Sequence, residues 1–283
     1  MRRRRHGCRA TDRQGCGTLG FAGTIPISLP SAIAHSGRRS DWGSDACRAG
    51  TLPARAPARH GGLFGGTFDP PHIGHLRLAI EAREALGLAE VCLIPAGNPP
   101  LRDAPQATAA HRLAMAERAI AGLSGFRVDP GEVHQAAQPS YTVATLERQR
   151  QLHGPARPLV LLLGADAFSR LEAWQRWREL FGLAHIAVAT RPGHDLATRQ
   201  DTPKVGADGA ALAAEFRARQ GTAADLAAAP AGRIVPFAIT ALEISATAIR
   251  ERLARGASVR HLVPDAVLDY IDSHPLYRTP HGH

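Results

Sequence analysis

Residues 62–75 read GLFGGTFDPPHIGH, and this stretch decides the fold expected of the chain. A short apolar run leads into Gly65–Gly66, a pair that lets the backbone turn sharply and expose its N–H groups. Asp69–Pro71 then fixes an extended turn, because proline lacks an N–H donor and restricts the residue before it. The chain enters a helix at about Ile73. A strand, a glycine turn and a helix N-terminus in this order are typical of a phosphate-binding site.

Two histidines stand at the start of this helix. His72 and His75 are three residues apart, so they share one face of the first turn. Unsatisfied N–H groups and the helix dipole favour anions there. The two imidazoles therefore predict a short cationic patch for phosphoryl oxygens, with Gly74 leaving space for a ligand. Histidines at this spacing are also compatible with capping groups or with half of a metal site, and a Gly-Gly turn alone is often structural.

Two other phosphate-binding motifs are excluded. A P-loop requires a Gly-Lys pair, which occurs nowhere in this sequence. The G-x-G-x-x-G dinucleotide fingerprint is absent from the turn after the first strand.

From residue 61 onward the sequence alternates apolar strands with helices, and the strands are apolar on both faces. This pattern predicts an α/β fold, a Rossmann-like open parallel sheet with helices on both faces and a small C-terminal helical part. Its ligands are expected at the carboxyl ends of the strands, near the switch point in strand order. The predicted strands are Gly62–Phe68, Val91–Pro95, Phe126–Val128, Leu159–Leu163, His185–Thr190 and Arg233–Val235. The predicted helices are Ile73–Leu86, His111–Ala121, Thr142–Leu152, one starting near Asp166, a peripheral one over Ala207–Gln220, Ser245–Arg255 and Pro264–Ser273.

The positive charge of the chain is concentrated before the first strand. The net charge is +9, but residues 1–60 carry 11 Arg against 3 Asp, whereas the other 223 residues carry 23 Lys or Arg against 22 Asp or Glu. We interpret residues 1–59 as a disordered basic extension, compatible with a translation start assigned too far upstream or with a transit peptide. Residues 60–283 are the predicted folded domain. Its near-neutral charge argues against a nucleic-acid-binding module, the function that the arginine-rich extension would otherwise suggest.

Composition excludes several further classes. No apolar run approaches the roughly 20 residues that a membrane span needs, so we expect a cytoplasmic protein. Four cysteines are too few for a disulfide framework, and they do not have the paired spacing of a zinc site. Cys92 is predicted to be a buried thiol.

The string GGTFDPPHIGH resembles the (H/T)xGH signature of the nucleotidyltransferase superfamily, and in particular the GGTFDPxHxGH of bacterial nicotinate-nucleotide adenylyltransferases. The resemblance implies that His72 and His75 contact the phosphates of ATP, with His75 near the α-phosphate. It also implies that the nucleotide site is lined by the backbone of Gly65, Gly66, Thr67 and Phe68.

A second string, ISATAIRERL at residues 244–253, stands near the C-terminus. Ser245 and Thr247 suit the start of a helix, where hydroxyls accept from unpaired N–H groups, and Arg250 lies on the same face as Thr247. Such a helix start is common by itself. Together with the first string it resembles the family's ISxTxxR signature, which implies that Ser245, Thr247 and Arg250 contact the β- and γ-phosphates.

Further segments between the two signatures resemble the family's acceptor side. They are PAGNPPLR (95–102), SYTVATL (140–146), LGAD (163–166), LEAWQRWREL (171–180) and the loop from Arg191. Where the family commonly has His or Lys, this chain has Leu101. The resemblance implies ATP contacts from Gly164 and Asp166, and acceptor contacts from Gly97, Arg102, Tyr141, Thr142, Trp174, Gln175 and Arg191. Read alone, Trp174 and Trp177 suit the core, Tyr141 a strand end, and Asp166 a helix N-cap.

The resemblance thus implies an enzyme that transfers the adenylyl group of ATP to nicotinate mononucleotide. Its expected cofactor is Mg²⁺ bound with ATP and no dedicated protein metal site, and its catalytic residues are His75, His72 and Arg250. A sister transferase acting on nicotinamide mononucleotide or phosphopantetheine is the alternative. We expect small-molecule substrates, no nucleic acid or membrane partner, and a monomer or weak homo-oligomer.

Overall fold

The computed structural model describes residues 60–100, 103–190 and 209–278. Its strands are β1 (Gly61–Gly66), β2 (Glu90–Pro95), β3 (Phe126–Val128), β4 (Leu159–Gly164), β5 (His185–Thr190) and β6 (Ile234–Ala238). Its α-helices are α1 (Ile73–Ala85), α2 (Ala109–Ala119), α3 (Gly131–His134), α4 (Thr142–His153), α5 (Ala165–Phe168), α6 (Leu180–Leu183), α7 (Gly209–Arg219), α8 (Ala246–Ala254) and α9 (Asp265–Ser273). Three 3₁₀ helices span Leu171–Ala173, Trp177–Glu179 and Ala223–Ala227.

The six strands form one parallel sheet in the order β3-β2-β1-β4-β5-β6. Strand order reverses between β1 and β4, which are paired from Gly61 opposite Leu159. A reversal of this kind opens a crevice at the carboxyl ends of the two strands. The loop after β1 is the predicted phosphate-binding string, so the sheet topology places that string at the crevice.

Both faces of the sheet are buried, as the apolar runs predict. Phe64, Val160 and Leu162 point into a core covered by α1, α2, α8 and α9. Their neighbours Leu63 and Leu161 point the other way, into a core covered by α4, α5, α6 and α7. The predicted Rossmann-like α/β class is therefore confirmed, and the C-terminal helices pack directly on one sheet face.

The helix boundaries follow local capping chemistry. Gly87, in the left-handed region with φ 63°, follows the end of α1, where the sequence predicted a stop. The Ser245 hydroxyl accepts from the Ala248 N–H at 3.1 Å and so caps α8. The glycine thus marks the end of α1, and the serine fixes the first turn of α8.

Two predicted elements differ in the structure. The Ala-rich helix is α7, Gly209–Arg219, and it is not peripheral, because Leu212 and Phe216 are 8% and 6% exposed within the second core. The helix that was predicted to start near Asp166 is the short α5, which ends at Phe168. The chain beyond it continues in short 3₁₀ turns and passes through Arg176 in a left-handed conformation with φ 53°, which an α-helix does not tolerate.

Some predictions fall outside the described residues. The proposed extension over residues 1–59 is one, and the domain boundary at residue 60 stays a prediction with it. Leu101, Arg102 and Arg191 are the others. Across the described ranges, no helix combines the length and apolarity needed to cross a bilayer.

Candidate active site

The two glycines at the end of β1 have different roles. A Cβ atom added to Gly66 would lie 2.9 Å from the ring of Phe68, so this glycine is required by the close approach of that ring. Phe68 is 1% exposed, with a left-handed φ of 51°, and its ring is folded back beneath the loop. A Cβ added to Gly65 would meet no atom within 4 Å. The open space of the turn is therefore at Gly65, and the backbone there can be approached by a ligand.

The histidine pair is held by a backbone contact. The N–H of His72 donates to Nδ1 of His75 at 3.2 Å, and the two rings stack with their centroids 3.6 Å apart. An imidazole nitrogen that accepts a hydrogen bond carries no proton, so the proton of neutral His75 is on Nε2. His75 is half-buried at the N-terminus of α1. In its neutral form the donor nitrogen of His75 is therefore Nε2, and an imidazole N–H is a suitable donor to a phosphate oxygen.

Burial changes the charge expected of His72. Its side chain is 6% exposed, and desolvation lowers its pKa from 6.5 to about 4. His72 is therefore neutral at pH 7, and the predicted cationic pair is wrong in this respect. Its Nδ1 is buried without a hydrogen-bond partner in the described part of the chain. Gly74 is needed by the same ring, because an added Cβ would lie 3.1 Å from it.

The second signature segment meets the first at this point. Nη1 of Arg250 donates to the carbonyl oxygen of Asp69 at 2.7 Å, and Nη2 lies 3.3 Å from the Thr247 hydroxyl that accepts from it. The Ile244 carbonyl lies 3.7 Å from the position of a Cβ on Gly74. Arg250 and His75 thus both contact the loop 69–72, although 175 positions of sequence separate them. Thr247 is exposed beside this loop, whereas the Ser245 hydroxyl is occupied as the cap of α8.

The loop after β2 and the start of α4 are brought together by one side chain. The Ser140 hydroxyl accepts from the N–H groups of Gly97 and Asn98, both at 3.0 Å. Tyr141 precedes α4 as its N-cap residue, so it does not cap a strand end, and Thr142 is the first residue of the helix. Ser140 and Tyr141 line a groove of about 270 Å³ along α3 and α4. Ser140 therefore joins the loop after β2 to the start of α4.

Comparisons with known proteins agree with this arrangement. Residues 63–252 match the model of the cytidylyltransferase-like family. The probable nicotinate-nucleotide adenylyltransferase of Dechloromonas aromatica is 53% identical over 218 residues, which cover 77% of this chain and 97% of that protein. The protein of the same name from Laribacter hongkongensis is 50% identical, with coverage of 77% and 94%. The chain belongs to the cytidylyltransferase-like family, in its nicotinate-nucleotide adenylyltransferase group.

A solved structure supports the fold of this family member. The Plasmodium falciparum nicotinic acid mononucleotide adenylyltransferase, complexed with NaAD, matches with a TM-score of 0.57 and 15% identity. The match covers 77% of this chain and 97% of that one. At this identity the likeness concerns the fold alone, and it agrees with the parallel sheet seen here.

The two tryptophans of the family's predicted aromatic region have separate environments. Trp177 is 9% exposed and packs in the second core with its ring centroid 6.1 Å from that of Phe181. Trp174 is half-buried at the end of a 3₁₀ helix, and Gln175 beside it is exposed. Trp177 is therefore a core residue, as the simpler interpretation held, whereas Trp174 has a face that a ligand can reach.

The loop after β4 carries two predicted ATP contacts. Gly164 ends the strand and is the N-cap of α5, and Asp166 is exposed in the first turn of that short helix. Asp166 is consequently not the helix cap, contrary to its simpler interpretation. The switch-point geometry places the end of β4 beside the end of β1 in this family member.

Sequence reasoning missed the residue that ties the site together. Arg112 of α2 is 1% exposed and donates to the carbonyl oxygens of four residues: Thr67 at 2.8 Å, Ala96 at 2.5 Å, Gly97 at 3.0 Å and Ala107 at 3.2 Å. One guanidinium thus joins the loop after β1 to the loop after β2. Burial lowers its pKa, and the charge of Asp69 opposes that shift. A signal existed, since Arg112 stands in the buried stripe of α2 with Met115, Ala116 and Ala119.

Gly97 has a packing role that its predicted acceptor contact did not include. A Cβ added there would lie 2.1 Å from the carbonyl oxygen of Glu132 in α3. The glycine is therefore required where α3 crosses the loop after β2. Whether it also contacts a ligand stays a prediction.

Proposed function

We propose that this chain transfers the adenylyl group of ATP to the phosphate of nicotinate mononucleotide, giving nicotinate adenine dinucleotide and pyrophosphate. The observation that carries the proposal is the meeting of Arg250 and the histidine pair on one loop at the switch point of the sheet. The acceptor class comes from the names of the bacterial relatives, which are 46–53% identical over most of their length.

The chemistry we propose is a direct in-line displacement. An oxygen of the mononucleotide phosphate forms a bond to the α-phosphorus of ATP, and the bond from that phosphorus to the bridging oxygen of the β-phosphate breaks. The nucleophile is already an anion, so the reaction needs no protein base and no covalent intermediate. Catalysis then depends on positioning and on stabilising the charge that develops.

The residue roles that we propose come from the family resemblance, and the site geometry is compatible with them. His75 donates from Nε2 to an oxygen of the α-phosphate, while the loop Gly65–Phe68 offers backbone N–H groups to the phosphates. His72 is neutral and holds His75 through its own N–H and through ring stacking. Arg250 neutralises the departing pyrophosphate, with Thr247 and Ser245 beside it; its Nε is buried with no hydrogen-bond partner in the described ranges.

A divalent metal accompanies ATP in this family, and for this chain we propose Mg²⁺. Within residues 60–100, 103–190 and 209–278, no group of three or more His, Cys, Asp or Glu side chains could hold a metal ion. Mg²⁺ fits such a site because it keeps several waters and binds phosphate oxygens in preference to an all-protein cage. When bound, the ion would offset the negative charge of the triphosphate.

Fewer contacts in the structure support the residues that we propose for the acceptor side than support those of the phosphate side. Gly97, Tyr141, Thr142, Trp174 and Gln175 form its described part, and Arg102 and Arg191 stay predictions from the resemblance. Backbone N–H donors at Tyr141 and Gln175 would favour the carboxylate of nicotinate over the amide of nicotinamide. A cytoplasmic location and a monomeric or weakly oligomeric state also stay predictions.

The direct test is turnover with matched acceptors. The full chain is incubated with ATP and Mg²⁺ and with either nicotinate or nicotinamide mononucleotide, and pyrophosphate release is measured. We expect kcat/KM to be at least about tenfold higher for the acid, because one well-placed interaction with a charged group contributes about 1.5–3 kcal/mol. Equal or greater turnover of the amide would favour the sister activity, and no turnover of either would contradict the proposal.

A further inference from the structure

The segment after α9 reaches back to the loop between β1 and α1. The Tyr277 hydroxyl donates to Oδ1 of Asp69 at 2.6 Å, across 208 positions of sequence. Tyr277 has a left-handed backbone with φ 62°, which residues other than glycine rarely adopt. Such a conformation is retained where surrounding contacts over-determine it, and here the ring also packs against the first core. Tyr277 is thus fixed at the candidate site.

Asp69 is the residue where four segments meet. It is 4% exposed, and its carboxylate accepts from the N–H groups of Gln106 at 2.8 Å and Ala107 at 3.1 Å as well as from Tyr277. Its carbonyl oxygen accepts from Arg250. The β1–α1 loop, the segment before α2, helix α8 and Tyr277 are therefore joined through one aspartate.

The Tyr277 hydroxyl is the side-chain donor to the Asp69 carboxylate, beside the two backbone N–H groups. Nη1 of Arg250 lies 3.9 Å from Oδ2 of Asp69, beyond a direct hydrogen bond. A buried carboxylate that loses a donor takes the nearest replacement, and the nearest cation here is Arg250. Burial and the neighbouring carboxylate both raise the pKa of Tyr277, so its hydroxyl stays protonated at any physiological pH. It is a permanent donor.

We propose that Tyr277 is a positioning residue for adenylyl transfer, whose hydroxyl holds the Asp69 carboxylate and thereby leaves the Arg250 guanidinium directed at the triphosphate. This inference rests on the proposed function of the same site. It adds a residue that neither signature contains, at the far end of the chain from the phosphate-binding loop.

The test compares Tyr277→Phe with Tyr270→Phe. Tyr270 lies on α9 and also has a partnered hydroxyl, 2.9 Å from Nδ1 of His111, but it does not contact Asp69 or Arg250. Each full-length variant is measured for melting temperature, for kcat and KM with ATP and with nicotinate mononucleotide, and for ATP affinity by calorimetry without acceptor.

For Tyr277→Phe we expect kcat/KM for ATP to fall about tenfold, since a small misplacement of a catalytic group costs up to about 10²-fold. ATP affinity should weaken severalfold, whereas KM for the mononucleotide should change less than about twofold. Tyr270→Phe should leave all three within about twofold. In an Arg250→Lys background the effect of Tyr277→Phe should vanish, because the tyrosine acts through that arginine.

Two results would overturn the inference. One is equal kinetics and equal ATP affinity in the two tyrosine variants, and the other is an undiminished tenfold loss in the Arg250→Lys background. The calorimetric arm separates this inference from the proposed function. A wild-type chain that binds ATP without turning over any acceptor would refute the function, while the ratio of ATP affinities would still decide the role of Tyr277.

Discussion

The two halves of the candidate site are built in different ways. The phosphate side (Gly65–His75 and Ser245–Arg250) is tied by hydrogen bonds between its own segments, with Asp69 and His72 buried. In the described part of the acceptor side, which comprises Gly97–Pro100, Tyr141–Thr142 and Trp174–Gln175, the residues are half-buried or exposed. Its two described loops are joined through Ser140.

The fold therefore fixes the positions of the donors on the phosphate side, whereas it leaves the side chains of the acceptor side free to vary. On the phosphate side, donors are positioned by backbone geometry before any ligand binds, which is the condition for electrostatic preorganisation. On the acceptor side, side chains can change without disturbing the sheet, because loops tolerate variation better than the elements they connect. We therefore expect changes on the phosphate side to alter rate, and changes on the acceptor side to alter acceptor affinity.

The largest effect should come from His75→Ala. Loss of a preorganised donor to a developing charge typically lowers kcat about 10²–10³-fold, or about 2.7–4 kcal/mol. The matched control is His153→Ala, because His153 lies near Arg157 and Arg127 beside the start of β2, away from the strand ends. Pyrophosphate release should be nearly unchanged in the control, and near-full turnover by His75→Ala would refute its assigned role.

An intermediate effect should appear in the pH dependence of stability. The pKa of His72 is about 4 in the folded chain, against 6.5 unperturbed, so the unfolded chain takes up this proton at higher pH. Its contribution is complete above pH 6.5 and is lost as pH falls towards 4, by at most about 3 kcal/mol.

Urea denaturation at pH 7 and pH 4.5 measures this contribution. The lowered pKa values of His153 and His185 add a loss of the same sign, but those residues are common to every variant. We expect His72→Gln to lose less stability than wild type between the two pH values. The control His134→Gln changes an exposed histidine and should follow the wild type. Parallel curves for wild type and His72→Gln would show that His72 is not buried neutral.

The smallest effect should come from Trp174→Ala on the acceptor side. Stacking on an aromatic face contributes about 0.5–1.5 kcal/mol, so KM for nicotinate mononucleotide should rise up to about tenfold while KM for ATP is unaffected. Trp177→Phe is the contrasting variant, because Trp177 is in the core. It should lower the free energy of unfolding by about 1–3 kcal/mol without changing either KM. An unchanged acceptor KM in Trp174→Ala would remove this residue from the acceptor side.

The strands could be predicted because buried parallel strands are continuous apolar runs, as in Leu159–Leu163. The strand order could not be predicted locally, because pairing of β1 with β4 joins segments nearly 100 residues apart. The different environments of Trp174 and Trp177 could not be predicted, because a spacing of three would place both on one face of an α-helix. In the structure this segment is instead two 3₁₀ turns with a left-handed residue between them.

The residues of the site divide in the same way. His72, His75 and Arg250 were found because each belongs to a string with a recognisable order. Asp69 was interpreted only as a turn residue and Tyr277 not at all, because their contact is visible only after the chain has folded. A charged residue in the apolar stripe of a helix, as at Arg112, is the one missed signal that the sequence did contain.

The hydrogen bond from residue 72 to residue 75 does not depend on the side chain at position 72. The group that fixes the tautomer of His75 is a main-chain amide, and every amino acid except proline supplies one. Exchanging imidazole for a hydroxyl at position 72 would remove the stacking and the buried titration but keep the proton of His75 on the same nitrogen. The backbone of residue 72 therefore fixes the tautomer of His75, and the side chain at position 72 can change without altering it.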